Sequence, residues 1–282
     1  MAKFCYLNGK IIPETQAAIS VTDIGILRGY GVFEVMRTYQ GKPFLFKAHW
    51  ARLFESARIL NLKVPVSAKK ALDIISQLFN KSNLCEVVVR IVLTGGQCTD
   101  TMGVRYNKNK PTFLILLSAA TELPAIIYQK GIALKTFEHQ RELSSIKSIN
   151  YLTAVKLRNS KENLGAFEIL YVFKGLALEA TTSNFFIFKG NRLITAKDKV
   201  LSGTTRNFVI GLAKNRFKVE QRPVKLSELK TADEAFITAT GKEIIPVVRI
   251  DNFRIGDGAV GANTKILMQM YREHIKRLRI AN

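Results

Sequence analysis

The sequence predicts an α/β protein (α+β mixed sheets) divided into two domains. Three observations carry this. The chain has 282 residues, 47% of them hydrophobic, enough for more than one core at ordinary domain sizes. Short apolar runs of strand type alternate with segments whose apolar residues recur at helical spacing. Turn dipeptides such as Asn8-Gly9, Gln40-Gly41 and Gly190-Asn191 separate them, as residues that tolerate positive φ should.

The opening "FCYLNGKIIP" reads as a hairpin turning at Asn8-Gly9, the strongest short hairpin signal. "GVFEVMRTYQGKPFLF" (31–46) reads as two further strands. A helix is expected from Lys47 to Leu62 with Trp50, Leu53, Phe54, Ala57 and Leu60 on its buried side, and a second from Ser67 to Phe79,. "CEVVVRIVLT" (85–94) and "PTFLILLS" (111–118) follow as buried strands,. A linker at 119–124 places the domains at 1–120 and 121–282. The second domain should carry a strand near 131–137 and a helix from Tyr151 to Leu164 closed by Gly165,. Strands at "FEILYVF", "NFFIF" and "RLITA", a helix after Thr205, a strand at "EAFITAT" and a terminal helix near 262–278 complete it.

Lys and Arg number 43 against 22 Asp and Glu, a formal charge of +21. Such an excess attracts phosphates and acidic surfaces without specificity. The positive residues are dispersed, with no arginine-rich arm or basic aromatic stripe, so no specific nucleic-acid partner is expected. No apolar stretch is long enough to span a bilayer and the start has no signal-peptide core. A cytoplasmic protein with no membrane partner is the expectation. The three cysteines and three histidines lack metal-ligand spacing, so neither disulfides nor a metal site is expected.

Four polar islands interrupt the apolar pattern: "SSIKSINYL" (144–152), "LEATTSNFFIF" (178–188), "LSGTTR" (201–206) and "FITATGKEIIP" (236–246). "LSGTTR" precedes a segment with Phe208, Val209, Leu212 and Ala213 at helical spacing. The first amides of a helix lack partners and carry partial positive charge, so this turn is either an anion site or a helix start capped by Ser202 or Thr204. Lys147 is either a desolvated amine able to act as a nucleophile or a solvated lysine. Glu179 reads as an inward carboxylate or a turn glutamate, Arg52 as a site residue or a surface charge, and His49 as a buried or capping histidine.

Taken together, the islands resemble the class IV aminotransferases, the fold type IV pyridoxal phosphate enzymes that include branched-chain and D-amino acid aminotransferases and aminodeoxychorismate lyases. The matching stretches are "GVFEVMR" (31–37), "AHWARLFESA" (48–57), "IKSINYL" (146–152), "LEATTSNFFI" (178–187), "LSGTTR" and "FITATGKEIIPV" (236–247). They occur in the family's order and span nearly the whole chain. The resemblance implies a two-domain fold like that of D-amino acid aminotransferase, the larger C-terminal domain carrying the cofactor lysine. It implies pyridoxal 5'-phosphate as cofactor and a homodimer.

By the same resemblance, Lys147 forms the Schiff base with the cofactor and moves the proton at the substrate α-carbon. Glu179 faces the pyridine nitrogen, where an ionised carboxylate keeps the ring an electron sink. Arg52 pairs with the phosphate, Thr204 and Thr205 belong to the turn that gives it amides, and Thr240 adds a hydroxyl from a second loop. Tyr151 lies near the ring's 3-oxygen and Leu201 near its face. Phe33 and Val35 border the substrate, and Arg28, Tyr30 or Arg105 is expected to receive a substrate carboxylate.

Glu34 after Phe33, and the form of "TATGKEIIP", resemble the aminotransferases more than the lyases. The expected activity is transfer of an amino group between a small branched-chain or D-amino acid and a 2-oxo acid. The alternatives are a lyase forming 4-aminobenzoate and pyruvate, and a noncatalytic basic binding protein. "LTGGQCTDTMG" (93–103), where Gly95 stands in place of the arginine of several relatives, matches no member well.

Overall fold

A computed structural model describes residues 3–163 and 165–280. The chain forms two compact units. One comprises Met1–Thr121 with Ile146–Tyr151, the other Glu122–Ser145 with Leu152–Asn282.

The first unit contains β1 (Phe4–Leu7), β2 (Lys10–Pro13), α1 (Ile24–Arg28), β3 (Gly31–Tyr39), β4 (Lys42–Pro43), α2 (Phe46–Ile59), α3 (Ala68–Ser82), β5 (Val87–Thr94) and β6 (Thr112–Ala119). Its six strands run in the order β2-β1-β6-β5-β3-β4, every pair antiparallel. Asn8 and Gly9 hold φ of 45° and 101°, which closes the first hairpin with Leu7 opposite Lys10. β4 has two residues where a longer strand is expected. Pro43 has no N–H to extend the ladder, and Leu45, at φ 54°, turns the chain into α2 one residue early.

Strand alternation divides the labour of β3. Val32 and Met36 enter the core with Trp50, Leu53 and Ala57 of α2 and Ile74, Ile75 and Leu78 of α3. Phe54 is a correction to the expected buried face: it is 48% exposed, whereas Phe46, His49 and Ser56 are buried. Ser67 caps α3 by accepting from the Lys70 amide at 3.2 Å.

The second unit contains α4 (Ala125–Lys130), β7 (Ile132–Glu138), α5 (Leu152–Asn163), β8 (Glu168–Phe173), β9 (Leu176–Ala180), β10 (Asn184–Lys189), β11 (Arg192–Thr195), α6 (Thr204–Ala213), β12 (Lys218–Gln221), β13 (Val224–Lys225), α7 (Leu226–Leu229), β14 (Glu234–Ala239), β15 (Glu243–Ile250), β16 (Phe253–Arg254) and α8 (Ala262–Ile280). Ten strands form one mixed sheet in the order β12-β11-β10-β14-β15-β7-β8-β9-β13, with β16 on β15. β11–β12, β15–β7 and β7–β8 are parallel. β10 is an interior strand, and Phe185, Phe186, Ile187 and Phe188 are all buried, as in a strand covered on both faces,. Leu164, the expected end of α5, lies outside the described residues. β9 and β15 escape the periodicity reading because "LALEA" and "EIIPVVRI" are short apolar runs with isolated charged residues and no alternation, which periodicity alone does not assign,.

The segment 146–151, expected in the C-terminal domain, belongs to the first unit. The Phe33 amide donates to the Lys147 carbonyl at 2.9 Å, the Ile149 amide to Gly31 at 3.0 Å, and Ile146 joins the first core. Backbone pairing along β3 decides this, and apolar periodicity carries no trace of it.

Candidate active site

In the first unit, the face of β3 opposite the core carries Phe33 and Val35. Val92 and Arg90 of β5 stand directly across from them, so the four residues share that face. Lys147 Nζ lies 4.5 Å from the centroid of the Phe33 ring, and Tyr151 meets the same ring edge-on at 5.4 Å. The Lys147 amide donates to Ser56 Oγ of α2 at 3.3 Å. The amine is thus held by its own backbone on a half-buried, largely apolar surface. Arg90 Cζ lies 5.9 Å from the Phe33 centroid. Sequence reasoning missed this arginine, because a single exposed charge in "VVVRIVLT" reads as the solvent side of an alternating strand.

Glu34 points to the other face of β3, between the apolar Val32 and Met36, and is fully buried. Arg52 Nε donates to its Oε1 at 2.7 Å and Nη2 to its Oε2 at 2.8 Å. His49 Nδ1 meets Oε2 at 2.7 Å, and since a carboxylate only accepts, Nδ1 carries the proton. Burial pushes the Glu34 carboxyl up, but the Arg52 charge and the hydrogen bonds from Arg52 and His49 outweigh it and bring it to about 2. Burial lowers His49 against the pull of Glu34, and the Arg52 and Lys147 charges lower it further. One turn of α2 separates His49 from Arg52, so both reach the same carboxylate.

Two of the three expected carboxylate receivers, Arg28 and Tyr30, donate to backbone carbonyls of the first unit. Arg28 donates to the carbonyls of Leu27, at 2.8 Å, and Met102, fastening α1 to the 100–103 loop. The Tyr30 hydroxyl donates to the Leu60 carbonyl at 2.7 Å, and its ring lies 5.7 Å from that of Tyr106. Arg105 is exposed, and its carbonyl accepts from the Thr99 amide. At Gly95 a Cβ would meet the Tyr106 ring at 2.7 Å, so packing disfavours a side chain at this position.

In the second unit, Glu179 is buried on β9. Its Oε1 accepts from Arg141 Nε at 2.8 Å and its Oε2 from the Leu201 amide at 2.9 Å. Arg141 Nη2 also donates to the Ser144 carbonyl at 2.7 Å. Nothing in the polar stretch "EHQRELSSIKSIN" singles out Arg141 for this pairing.

Gly203, not Ser202 or Thr204, is the N-cap residue of α6, and it has no side chain to cap the helix, while Ser202 Oγ accepts from Asn207 Nδ2 at 2.9 Å. Thr204 and Thr205 are buried at the helix start. A Cβ at Gly203 would collide with Asn184 Oδ1, and Asn184 Nδ2 holds the Leu201 carbonyl at 2.8 Å. Thr238 pairs with Asn184 across the sheet, and its buried Oγ1 has no hydrogen-bond partner among the described residues. Thr240 opens the turn between β14 and β15. Arg206, the last residue of "LSGTTR", serves the fold: its Nη2 donates to the Ala196 carbonyl and Gln221.

The first unit supplies a half-buried amine beside an aromatic pair; the second supplies a buried carboxylate held by an arginine and a helix start at Gly203 lined with buried threonines. Among the described residues there is no cluster of side chains able to hold a metal ion, and no helix long and apolar enough to cross a membrane.

The family described as amino-transferase class IV matches residues 31–250. A "Putative branched-chain-amino-acid aminotransferase" of Methanocaldococcus jannaschii is 36% identical over 95% of both chains. The D-alanine aminotransferase of Bacillus licheniformis is 30% identical over 92% of both. The branched-chain amino acid aminotransferase of Escherichia coli superposes with a TM-score of 0.87, 26% identity, and coverage of 95% of this chain and 93% of that one. The fold is that of the fold type IV enzymes, and the chain belongs to the class IV aminotransferase family.

Proposed function

We propose that this aminotransferase uses pyridoxal 5'-phosphate to exchange an amino group between a small amino acid with an apolar side chain and a 2-oxo acid, with Lys147 as the catalytic residue. The observation that carries this reading is the Lys147 amine held over Phe33 beside Tyr151. The donor set also fits the cofactor. The helix start at Gly203 has no side-chain cap and no room for a Cβ, and Thr238 offers a buried donor without a partner on the Asn184 face. These suit a phosphate dianion.

When bound, the cofactor supplies an electron sink for negative charge at the substrate α-carbon. Lys147 Nζ would hold the cofactor and would carry the proton to and from that carbon. Glu179, steadied by Arg141 and the Leu201 amide, would face the pyridine nitrogen, and Tyr151 the 3-oxygen. Arg52, Thr204, Thr205 and Thr240 would bind its phosphate, with Leu201 against the ring. Phe33, Val35 and Val92 offer apolar contact to a substrate side chain, and Arg90 a cation to a carboxylate. The names of the Methanocaldococcus and Bacillus relatives support branched-chain amino acids or D-alanine as the substrate class.

The working form we propose is a homodimer, as the resemblance implies, in the cytoplasm. The deciding experiment incubates cofactor-loaded protein with L- and D-amino acids plus 2-oxoglutarate or pyruvate, and separately with aminodeoxychorismate. Amino transfer from an apolar amino acid supports the reading, and its L or D form fixes the stereochemistry. Release of 4-aminobenzoate without amino transfer overturns it in favour of a lyase. Protein that stays colourless with added cofactor overturns it in favour of a binding protein, and sedimentation as a monomer removes the dimer.

A further inference from the structure

Glu168, the first residue of β8, is a buried carboxylate for which the proposed chemistry has no use. It is 3% exposed. An ion in such a place costs several kcal/mol unless it is well paired, and this one collects donors from two turns. From the turn between β9 and β10 come Thr181 Oγ1 at 3.2 Å, the Thr182 amide at 3.1 Å, Thr182 Oγ1 at 3.0 Å and Ser183 Oγ at 2.8 Å. From the turn between β14 and β15 comes Lys242 Nζ. Burial raises the carboxyl, but the Lys242 charge and the hydrogen bonds overcome it and hold it below its ordinary value.

Lys242 Nζ also donates to Thr182 Oγ1 at 2.6 Å and Ser183 Oγ at 3.3 Å. Each hydroxyl therefore donates to Glu168 and accepts from Lys242, which gives the network one proton arrangement. The turn that carries Lys242 is gripped again through its backbone. Its amide donates to Ala239 at 3.0 Å, and its carbonyl accepts from the Tyr128 hydroxyl at 3.2 Å. That turn consists of Thr240, Gly241 and Lys242 and is followed by Glu243 at φ 58°, a left-handed conformation that a non-glycine residue keeps only when its surroundings enforce it.

We propose that Glu168 and Lys242 are a positioning pair for the cofactor: their contact sets the 240–242 turn so that the Thr240 hydroxyl meets the phosphate. The inference rests on the reading of Thr240 as a phosphate ligand. An ion pair has a purpose here that an apolar pair would not serve, because the surface turn holding Lys242 is fastened by direction and not by burial alone.

The test measures cofactor binding by absorbance for wild type, Lys242→Met, Lys242→Arg and Thr182→Ala, each with pyridoxal phosphate and with pyridoxal, alongside thermal melting of each cofactor-free protein. Lys242→Met should weaken pyridoxal phosphate binding about tenfold, the scale on which supporting contacts act, while pyridoxal binding changes little. Lys242→Arg should recover most of the loss. An equal loss for both ligands, or none for either, overturns the proposal in favour of a structural role. If Lys242→Met does not fold, Thr182→Ala carries the same comparison, since it removes one bracketed hydroxyl and keeps both charges. Wild-type protein that binds no pyridoxal phosphate fails the functional reading itself, a result distinct from a Lys242 variant that binds like wild type.

Discussion

Arg52 grips Glu34 with two nitrogens, at 2.7 and 2.8 Å, and the carboxylate that receives them is fully buried beneath β3. A planar guanidinium in such a fork has little rotational freedom. The residue read as the phosphate ligand is therefore oriented before any ligand arrives. Glu34→Gln should loosen the fork and leave Arg52 and His49 beside a neutral amide. We expect a loss of about 3 kcal/mol in stability, measured by denaturant unfolding, together with weaker cofactor binding. Unfolding curves that overlay wild type would show that the pair contributes nothing.

Acid should destabilise the protein in two stages. His49 titrates below its ordinary 6.5 in the fold, so the unfolded chain takes up that proton first and stability begins to fall as pH drops below about 6.5. Glu34 titrates at about 2 against an ordinary 4.5. Its contribution is complete above 4.5 and is lost as pH falls from 4.5 toward 2. Melting temperature against pH should show both stages. Glu34→Gln should flatten the lower one, and an unchanged lower limb would refute the assignment.

Lys147→Ala should abolish the absorbance of covalently held cofactor and slow amino transfer by about 10³-fold or more, the scale of losing a positioned proton carrier. The first unit should still fold, because Phe33 and Ile149 pair through backbone atoms that the substitution leaves in place. Spectral titration and circular dichroism check the two halves of this expectation.

Gly203→Ala forces a methyl against Asn184 Oδ1, the side chain that also holds the Leu201 carbonyl. The strain should cost about 1–3 kcal/mol and weaken pyridoxal phosphate more than pyridoxal. Equal affinity of wild type and variant for the phosphorylated form would argue against an anion at this helix start.

Arg90→Ala should raise KM for 2-oxoglutarate roughly tenfold while changing KM for pyruvate little, since only the former brings a second carboxylate for a charged donor. Arg28→Ala should leave both values near wild type, because its guanidinium is occupied by the Leu27 and Met102 carbonyls. The reverse pattern would identify Arg28 as the carboxylate receiver.

Local chemistry made much of this protein legible in its sequence. Asn8-Gly9, Gln40-Gly41 and the Ser67 cap mark turns and a helix start through conformational preferences that act within a few residues,. The order of "IKSINYL", "LEATTSN" and "LSGTTR" carried the family, and with it the expected roles of Lys147, Glu179 and Thr204. Only the tertiary structure decided which groups face them. Glu34 looks like any polar residue on an alternating strand until α2 brings His49 and Arg52 over it. Arg141 meets Glu179 from 38 positions away, and Lys242 reaches Glu168 across 74. Lys147 itself joins the first unit because its backbone pairs with β3 after the chain has already entered the second. Periodicity and turn chemistry report neighbours along the chain. Ion pairs and backbone ladders between distant segments are settled by packing, so their partners exist only in the fold.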